Sequence, residues 1–244
     1  MNALFQSPKK PEPIKLIRQK LPKHIAIAID PADPESASLR SDIIQNIVGF
    51  QVQARIPMVT FNILPSQSGP DIDALVKVLN DIDEWPFLDD HQVKISVLGR
   101  WYDMPERVVE RIKAVISRTK DYDRFVVNVG INYDGQEELV DAISRIARQV
   151  RAQRVDPERI TKEMVKDNLD TAAIPPPSLI ITTGKTFSLR SFMTWDAAHA
   201  KIYFSNVPWG QFNRTTLIKA LVFYQNTAGE KNRPGNSKEN PSPF

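Results

Sequence analysis

One carboxylate stands where chemistry would be expected, at the end of an apolar run. Asp30 follows the run His24–Ile29, whose β-branched and small apolar residues are typical of a buried strand. In a parallel sheet such a strand ends at the edge where ligands bind, so Asp30 is a candidate for binding a substrate or a cation. A single carboxylate makes a poor Mg²⁺ site, however, and an aspartate before Pro31 could simply end a strand. Both interpretations stay open.

Composition excludes several other kinds of chemistry. The 244-residue chain has no cysteine, which rules out disulfides, thiolate metal sites and a cysteine nucleophile. Its three histidines are scattered, so a zinc site built from protein ligands alone is not expected. The net charge of +3 and the pI near 9.0 suit phosphorylated ligands, anionic membrane surfaces or nucleic acid, and they do not distinguish these partners.

Short apolar runs alternate with helical patterns along the chain. The runs predict strands at His24–Asp30, Met58–Leu64, Val93–Leu98, Arg124–Ile131, Leu179–Thr183 and Lys201–Phe204. Apolar spacing predicts helices at Leu39–Ala54, Ile72–Ile82, Pro105–Ser117, Gln136–Gln153 and Arg214–Gln225. A further helix is predicted to start at Asp156-Pro-Glu158. Strands that alternate with helices indicate an α/β fold, with a mostly parallel sheet surrounded by helices.

The ends of the chain differ in composition from its middle. Residues 1–20 combine a lead-in rich in proline and lysine with a short helix, residues 21–225 form one domain, and residues 226–244 are a polar tail. No apolar stretch approaches the roughly 18 residues that span a bilayer, and the first residues lack the apolar core of a signal peptide. We therefore expect a cytoplasmic protein that can contact a membrane peripherally.

Four segments in register resemble the cis-prenyltransferases, enzymes that extend allylic diphosphates with isopentenyl diphosphate to make polyprenyl carrier lipids. They are Leu21–Asp30, Val97–Gly99 with the helix after it, Val127–Gly135, and Pro177–Trp209. The third is similar to the family's Asn-x-x-x-Asn-Tyr-Gly-Gly strand and turn, although Asn132–Gly135 is also a turn signal in its own right. The resemblance implies a single α/β domain with an elongated apolar cavity, and dimerisation through its carboxy-terminal part.

Most of the residues that handle diphosphate in this family are replaced. The resemblance aligns the family's Gly-Asn-Gly/Arg-Arg-Trp loop with Pro31–Glu35, which carries acidic residues instead of arginines. The two arginines of the family's Arg-Thr-Gly-Gly-x-x-Arg-x-Ser segment align with Thr182 and Ser188. The family's metal-binding glutamate aligns with Lys201, whose ammonium would repel Mg²⁺. The family's substrate site is thus degenerate in this chain.

The carboxy-terminal region offers residues for contact with another chain. The resemblance places four aromatic residues at the subunit contact, where they could also be core: Trp195, Tyr203, Phe204 and Trp209. Some family members are heteromers in which a degenerate subunit, of the Nogo-B receptor type, keeps a terminal Arg-x-Gly that reaches the partner's diphosphate site. Arg233-Pro-Gly235 matches this motif, a few residues later than the family spacing. Arg233 and Gly235 would then act in trans.

Three functions are consistent with this pattern. The leading hypothesis is a non-catalytic subunit of a heteromeric cis-prenyltransferase, which binds no cofactor or metal itself while its full-motif partner subunit binds Mg²⁺. Without that partner, the chain would pair with itself. The second is a divergent homodimeric enzyme in which Asp30, Lys185 and Arg190 form a rebuilt substrate site. The third is a pseudoenzyme that serves as a binding module. None of the three involves nucleic acid.

Overall fold

The computed structural model describes residues 20–30, 40–63, 69–185, 187–189 and 191–229. Strands and helices mostly alternate along them. The strands are β1 (His24–Ala28), β2 (Met58–Ile63), β3 (Val93–Leu98), β4 (Phe125–Ile131), β5 (Leu179–Thr182) and β6 (Lys201–Phe204). The α-helices are α1 (Ser41–Ala54), α2 (Gly69–Asp81), α3 (Glu106–Thr119), α4 (Gly135–Arg151), α5 (Lys162–Asp167) and α6 (Arg214–Gly229). Within the described residues, no helix combines the length and the apolar character needed to cross a bilayer. The predicted α/β fold is confirmed.

The described strands form one sheet in the order β3-β4-β2-β1-β5-β6, and every neighbouring pair is parallel. β1 lies between β2 and β5, with Ala26 opposite Thr60 on one side and opposite Ile180 on the other. The chain leaves β1 toward β2 and returns beside it with β5, so the strand order reverses here. Open α/β sheets bind ligands at such a point, outside the carboxyl ends of the strands.

The two faces of the sheet carry different side chains. Because successive residues of a strand point to opposite faces, β1 directs Ile25 and Ile27 to one face and Ala26 and Ala28 to the other. The isoleucine face packs under α1, α2, α3 and α6 in a large apolar core. The alanine face packs against a smaller apolar cluster that includes Phe192. Its small side chains leave room for buried polar groups next to the sheet.

Three buried polar side chains on the alanine face form a hydrogen-bonded chain. Nε2 of His24 lies 2.7 Å from Thr60 Oγ1, and Asn128 Nδ2 donates to the same oxygen at 2.9 Å. Nδ1 of His24 lies 2.6 Å from the carbonyl oxygen of Pro175, which can only accept, so Nδ1 carries the proton and Nε2 accepts from the hydroxyl of Thr60. Neutral groups therefore tie β1, β2 and β4 together, and burial lowers the pKa of His24 to about 4.

This lowered pKa predicts a loss of stability in acid. Between the unfolded pKa of 6.5 and the folded pKa of about 4, the unfolded state binds more protons than the folded state. The contribution of neutral His24 to stability is therefore fully present above this range and is lost as the pH falls through it. We expect His24 to account for a loss of about 2 kcal/mol in the free energy of unfolding between about pH 7.5 and pH 5. Urea unfolding at both pH values should show that His24→Gln removes this part. His199→Gln, at an exposed histidine, is the control; an unchanged pH dependence in His24→Gln would contradict the prediction.

One predicted helix start is wrong. Asp156 accepts a hydrogen bond from the N–H of Glu158, but it caps only a 3₁₀ turn, Pro157–Arg159. The chain is extended at Ile160, which ends this turn. α5 begins later, where the hydroxyl of Thr161 accepts from a backbone N–H of the first turn. The aspartate before proline was a true capping signal, but for a turn rather than for a helix.

Candidate functional site

Asp30 lies at the carboxyl edge of the sheet, just after β1, and is buried. Its backbone N–H donates to the hydroxyl of Thr183, 3.1 Å away, and so joins the end of β1 to the end of β5. Gly184 lies against the carboxylate, since a Cβ atom there would be 3.0 Å from Asp30 Oδ2. Gly184 also has a φ of +80°, which glycine adopts without strain. The structure thus brings Asp30 next to the turn that carries Lys185.

Two further polar atoms at this edge have no hydrogen-bond partner among the described residues. They are Oδ1 of Asn62, near the end of β2, and Oγ1 of Thr182, at the end of β5. Both side chains are almost fully buried, and a Cβ on Gly130 of β4 would lie 3.0 Å from the Asn62 oxygen. Because buried polar groups normally have a partner, these two are suited to bind a polar ligand. The sequence pattern missed Asn62, whose signal was a single amide within an apolar run.

The turn after β4 is structural. Asn132 Nδ2 donates to the carbonyl of Arg100 at 3.2 Å, and the Arg100 N–H donates to the carbonyl of Asn132 at 3.1 Å. Asp134, where the family has glycine, caps α4 by accepting from two backbone N–H groups of its first turn. The N–H of Gly135 donates to the carbonyl of Ser191 at 2.8 Å, and any Cβ on Gly135 would collide with that oxygen. The turn therefore holds β3, α4 and the segment after β5 together.

A buried polar network lies behind this turn. The hydroxyl of Tyr133 donates to Glu138 Oε2 at 2.7 Å, and the N–H of Thr171 donates to Glu138 Oε1 at 2.9 Å. Lys166 Nζ donates to the carbonyl of Thr171 at 2.7 Å and to both carboxylate oxygens of Asp196 at 2.7 and 2.8 Å. Burial raises the pKa of Glu138 and of Tyr133. Each of these groups has a partner within the protein, so the network supports the site rather than binding a ligand.

Neutral groups stand where the family has arginines. Thr182 presents a buried hydroxyl at the end of β5, two residues before Gly184, and Ser188 is exposed in the segment that follows. Lys185 is exposed directly after Gly184, so a predicted cation remains at this edge. The other predicted site residues lie outside the described residues, namely Pro31–Glu35, Arg190, Arg233 and Gly235.

Lys201 does not lie beside Asp30 within the chain, which corrects the prediction that its ammonium repels a metal there. Lys201 begins β6 and pairs with Leu179, at the amino edge of the sheet, whereas Asp30 lies at the carboxyl edge. The length of β6 separates it from the carboxyl edge by about 10 Å. Its Nζ lies 5.6 Å from the ring centroid of Tyr224 on α6, on the isoleucine face. The resemblance aligned Lys201 with a metal-binding glutamate, but it did not predict where Lys201 lies in the sheet.

The family resemblance implies a magnesium ion in the complex, but the described residues of this chain do not by themselves form a site for one. They contain no group of three or more acidic or histidine side chains that could hold a metal. Asp30 supplies one carboxylate, and its neighbours Thr183 and Gly184 are neutral. Mg²⁺ is often held by one or two carboxylates together with substrate phosphates, so Mg²⁺ at Asp30 would depend on a bound diphosphate.

Trp209, one of the four predicted interface residues, belongs to the core, which corrects that prediction. Its side chain is 0% exposed and packs against Phe61 and Phe212, with ring centroids 6.4 and 5.9 Å away. A side chain that has no exposed surface in the protomer cannot contact a partner. Large aromatic residues favour cores and interfaces alike, so residue type did not distinguish the two.

The other three predicted interface residues lie at or near the edge strand β6. Trp195 is half-buried, and Tyr203 packs on Phe223 of α6 with ring centroids 5.4 Å apart. Phe204 is 39% exposed and lies against Phe187, which is 69% exposed, with centroids 5.6 Å apart. The sequence pattern missed Phe187. We call Phe187 and Phe204 the β6 patch; exposed aromatic rings beside a strand edge are typical of surfaces that contact other chains.

These features define the class of the protein: an α/β domain with a wholly parallel sheet and a candidate polar-ligand site at its central carboxyl edge. A model of the family described as "Putative undecaprenyl diphosphate synthase" matches residues 41–231, and the chain belongs to this family of cis-prenyltransferases. The predicted family is confirmed.

Individual relatives are similar over most of their length. The chain is 28% identical over 229 residues to the tritrans,polycis-undecaprenyl-diphosphate synthase (geranylgeranyl-diphosphate specific) of Methanocaldococcus jannaschii. This match covers 85% of this chain and 81% of the relative. It is 29% identical over 234 residues to an isoprenyl transferase of Clostridium perfringens, with 88% and 91% covered. The solved structure of lavandulyl diphosphate synthase from Lavandula x intermedia, in complex with dimethylallyl diphosphate, has a similar fold. Its TM-score is 0.74 at 20% identity, over 84% of this chain and 95% of that one.

Proposed function

We propose that this protein is a non-catalytic subunit of a heteromeric cis-prenyltransferase that makes long-chain polyprenyl diphosphate from an allylic diphosphate and isopentenyl diphosphate. The family supports the reaction class, since relatives bear the names undecaprenyl-diphosphate synthase and isoprenyl transferase. In this proposal the full-motif partner subunit binds the substrates and Mg²⁺, and this chain binds no cofactor. Peripheral contact with a membrane stays a prediction.

The observation that carries the proposal is the neutral side chain of Thr182 at the edge that holds Asp30. Prenyl transfer releases diphosphate, whose charge must be stabilised by cations or donors aimed at it. A buried hydroxyl replaces one family arginine, and Ser188 replaces another. Each charge-assisted hydrogen bond contributes about 1.5–3 kcal/mol, so losing both weakens binding by about 3–6 kcal/mol, a factor of roughly 10² to 10⁴. A chain that keeps the fold without these charges suits an accessory role.

Turnover by the purified chain tests the proposal. With labelled isopentenyl diphosphate, an allylic primer and Mg²⁺, we expect no turnover above background from the chain alone. Adding it to a full-motif family member from the same source should give more turnover than that member gives alone. A pseudoenzyme with another role would leave the partner's turnover unchanged.

A specific observation favours the second candidate, a divergent enzyme with Asp30, Lys185 and Arg190 in a rebuilt site. Lys185 remains exposed directly after the glycine that contacts Asp30. This alternative predicts turnover by the chain alone, which Lys185→Gln should abolish. Turnover that appears only in the mixture would exclude it.

We expect the β6 patch to form the contact with the partner subunit, or with a second copy when no partner is present. Phe187→Asp combined with Phe204→Asp should weaken association at least about tenfold, because burying an unpaired carboxylate in an apolar contact is unfavourable. Light scattering of the chain, alone and mixed with the partner, measures this. Tyr102→Asp is the matched control, since Tyr102 is 60% exposed and follows β3, the opposite edge strand. Unchanged assembly of the double variant would place the contact elsewhere.

A further inference from the structure

A cavity of about 890 Å³ lies between α1, the segment before β3 and the segment that leads into α6. Four apolar residues contribute to its wall: Phe50, Phe87, Phe212 and Leu217. Two arginines, Arg40 and Arg214, contribute to its polar lining. The described lining residues include neither Asp30 nor Gly184, so this cavity is separate from the candidate functional site.

The two arginines differ in how their charge is used. Arg40 donates two hydrogen bonds to the carboxylate of Asp42, each 2.8 Å long, so an anion of the protein already neutralises it. Arg214 lies over the ring of Phe50, with Cζ 5.0 Å from the ring centroid. Its Nε is buried without a hydrogen-bond partner, and the ion pairs of the described residues do not include Arg214. Among the described residues, the guanidinium of Arg214 therefore carries its charge without an ion-pair partner at the wall of the cavity.

The amino terminus of α6 does not supply this anion site. Oδ1 of Asn213 accepts hydrogen bonds from the N–H groups of Thr215 and Thr216, at 2.9 and 3.2 Å, so the first turn is already capped. The anchor is the side chain of Arg214, whose plane the contact with Phe50 helps to orient. The two terminal Nη groups of a guanidinium form a planar fork that matches two oxygens of a phosphate or a carboxylate.

We propose that this cavity binds a small amphipathic anion, with its phosphate or carboxylate on Arg214 and its apolar part against Phe50, Phe87 and Phe212. A cation without an ion-pair partner at the wall of a cavity favours an anion, which would pair with its charge. The phenyl rings would at the same time remove the apolar part from water. The proposal concerns a second site and does not depend on whether the chain is catalytic.

Calorimetric titration of the full chain with four probes tests the chemistry of the site. We expect octyl phosphate, octanoate or both to bind at least about tenfold more tightly than octanol and inorganic phosphate, because only the first two combine an anion with an apolar chain. The tighter of the two anions identifies the headgroup. Absence of binding by both anions, or binding of octanol as tight as that of the anions, overturns the proposal.

Variants then locate the bound anion. Arg214→Gln should weaken binding at least about tenfold, whereas Arg148→Gln, the same change at an exposed arginine of α4, should leave it unchanged. Lys185→Gln should also leave it unchanged, and a loss there would assign the anion to the carboxyl edge and overturn the proposal. Arg214→Gln is expected to fold, since it removes an unpaired buried donor. If it does not fold, Arg214→Lys is the second variant, because it keeps the charge without the planar fork. This variant should bind the anion more weakly than the parent does, and an equal affinity overturns the proposal.

Discussion

The Lys166→Met variant is expected to lose about 3–5 kcal/mol of the free energy of unfolding. Lys166 Nζ lies 2.7 Å from the nearer carboxylate oxygen of Asp196, whose side chain is only 2% exposed. Methionine keeps most of the apolar stem of lysine but leaves this carboxylate buried without its cation. Because a domain is stable by only about 5–15 kcal/mol, the loss is a large share of the total.

The effect reaches beyond the ion pair because the same ammonium joins three segments. Lys166 of α5 also donates to the carbonyl of Thr171, whose N–H donates to Glu138 of α4. Asp196 opens the 3₁₀ turn Asp196–His199, which leads into β6. Removing the ammonium therefore loosens the supports of α5, α4 and the edge strand together.

Urea unfolding of the parent and the variant measures the loss. Lys162→Met is the matched control, because it makes the same change at an exposed position of the same helix and should shift the free energy by no more than about 0.5 kcal/mol. The double variant Lys166→Met/Asp196→Leu should recover part of the loss, since it removes the stranded charge as well. A loss of less than about 1 kcal/mol in Lys166→Met would mean that water or another group satisfies Asp196.

In the complex with a full-motif partner, Arg233→Ala is expected to lower turnover at least about tenfold while assembly persists. The basis is the Arg-x-Gly resemblance. The planar fork of arginine can bind two oxygens of a diphosphate, and Gly235 permits close approach of the backbone. Losing one such charge-assisted bond costs about 1.5–3 kcal/mol, which corresponds to the expected fall in turnover of at least about tenfold.

The course of α6 favours action on another chain. The helix starts beside α1, where Arg214 lies over Phe50, and its later residue Phe223 packs on Tyr203 of the edge strand β6. α6 therefore runs toward the β6 edge of the protein and ends at Gly229. The later part of α6 thus lies against the edge strand beside the proposed partner contact, whereas β1, which leads to this chain's own site, lies two strands away.

Steady-state turnover of the assembled complex distinguishes a functional motif from a chance match. Truncation after Ala228 should reproduce the loss seen with Arg233→Ala. Lys231→Ala, which removes a neighbouring charge of the same sign from the same tail, should retain the activity of the parent complex. If Arg233→Ala and the parent complex turn over equally, the Arg-x-Gly match is a coincidence.

The strands and the sheet edge were predictable from the sequence for a simple physical reason. Strands of a parallel sheet are buried on both faces, so they appear as continuous apolar runs such as His24–Ile29 and Leu179–Thr182. The carboxyl ends of parallel strands share one edge, which is why Asp30 after β1 and Gly184 after β5 lie on the same side of the protein.

Side-chain neighbours were not predictable in the same way. The position of Lys201 relative to Asp30 depends on the register between β5 and β6, which no local pattern encodes. The pairing of Lys166 with Asp196 joins residues 30 apart in sequence, and either residue alone resembles a solvated surface charge. Trp209 was misplaced because an aromatic side chain suits both a core and an interface. Local patterns thus predicted elements, and long-range packing decided partners.

The central position of β1 has a consequence for how a newly made chain matures. The hydrogen bond between the N–H of Asp30 and Thr183 joins residues 153 apart in sequence. At a synthesis rate of about 5–20 residues per second, Thr183 follows Asp30 by roughly 8–30 s. During that interval β1 can pair with β2 while its other edge waits for β5, and such long-range parallel pairing is intrinsically slow. The candidate site is therefore among the last parts of the domain to form on the ribosome, and the nascent protein presents an apolar strand edge that chaperones can bind until then.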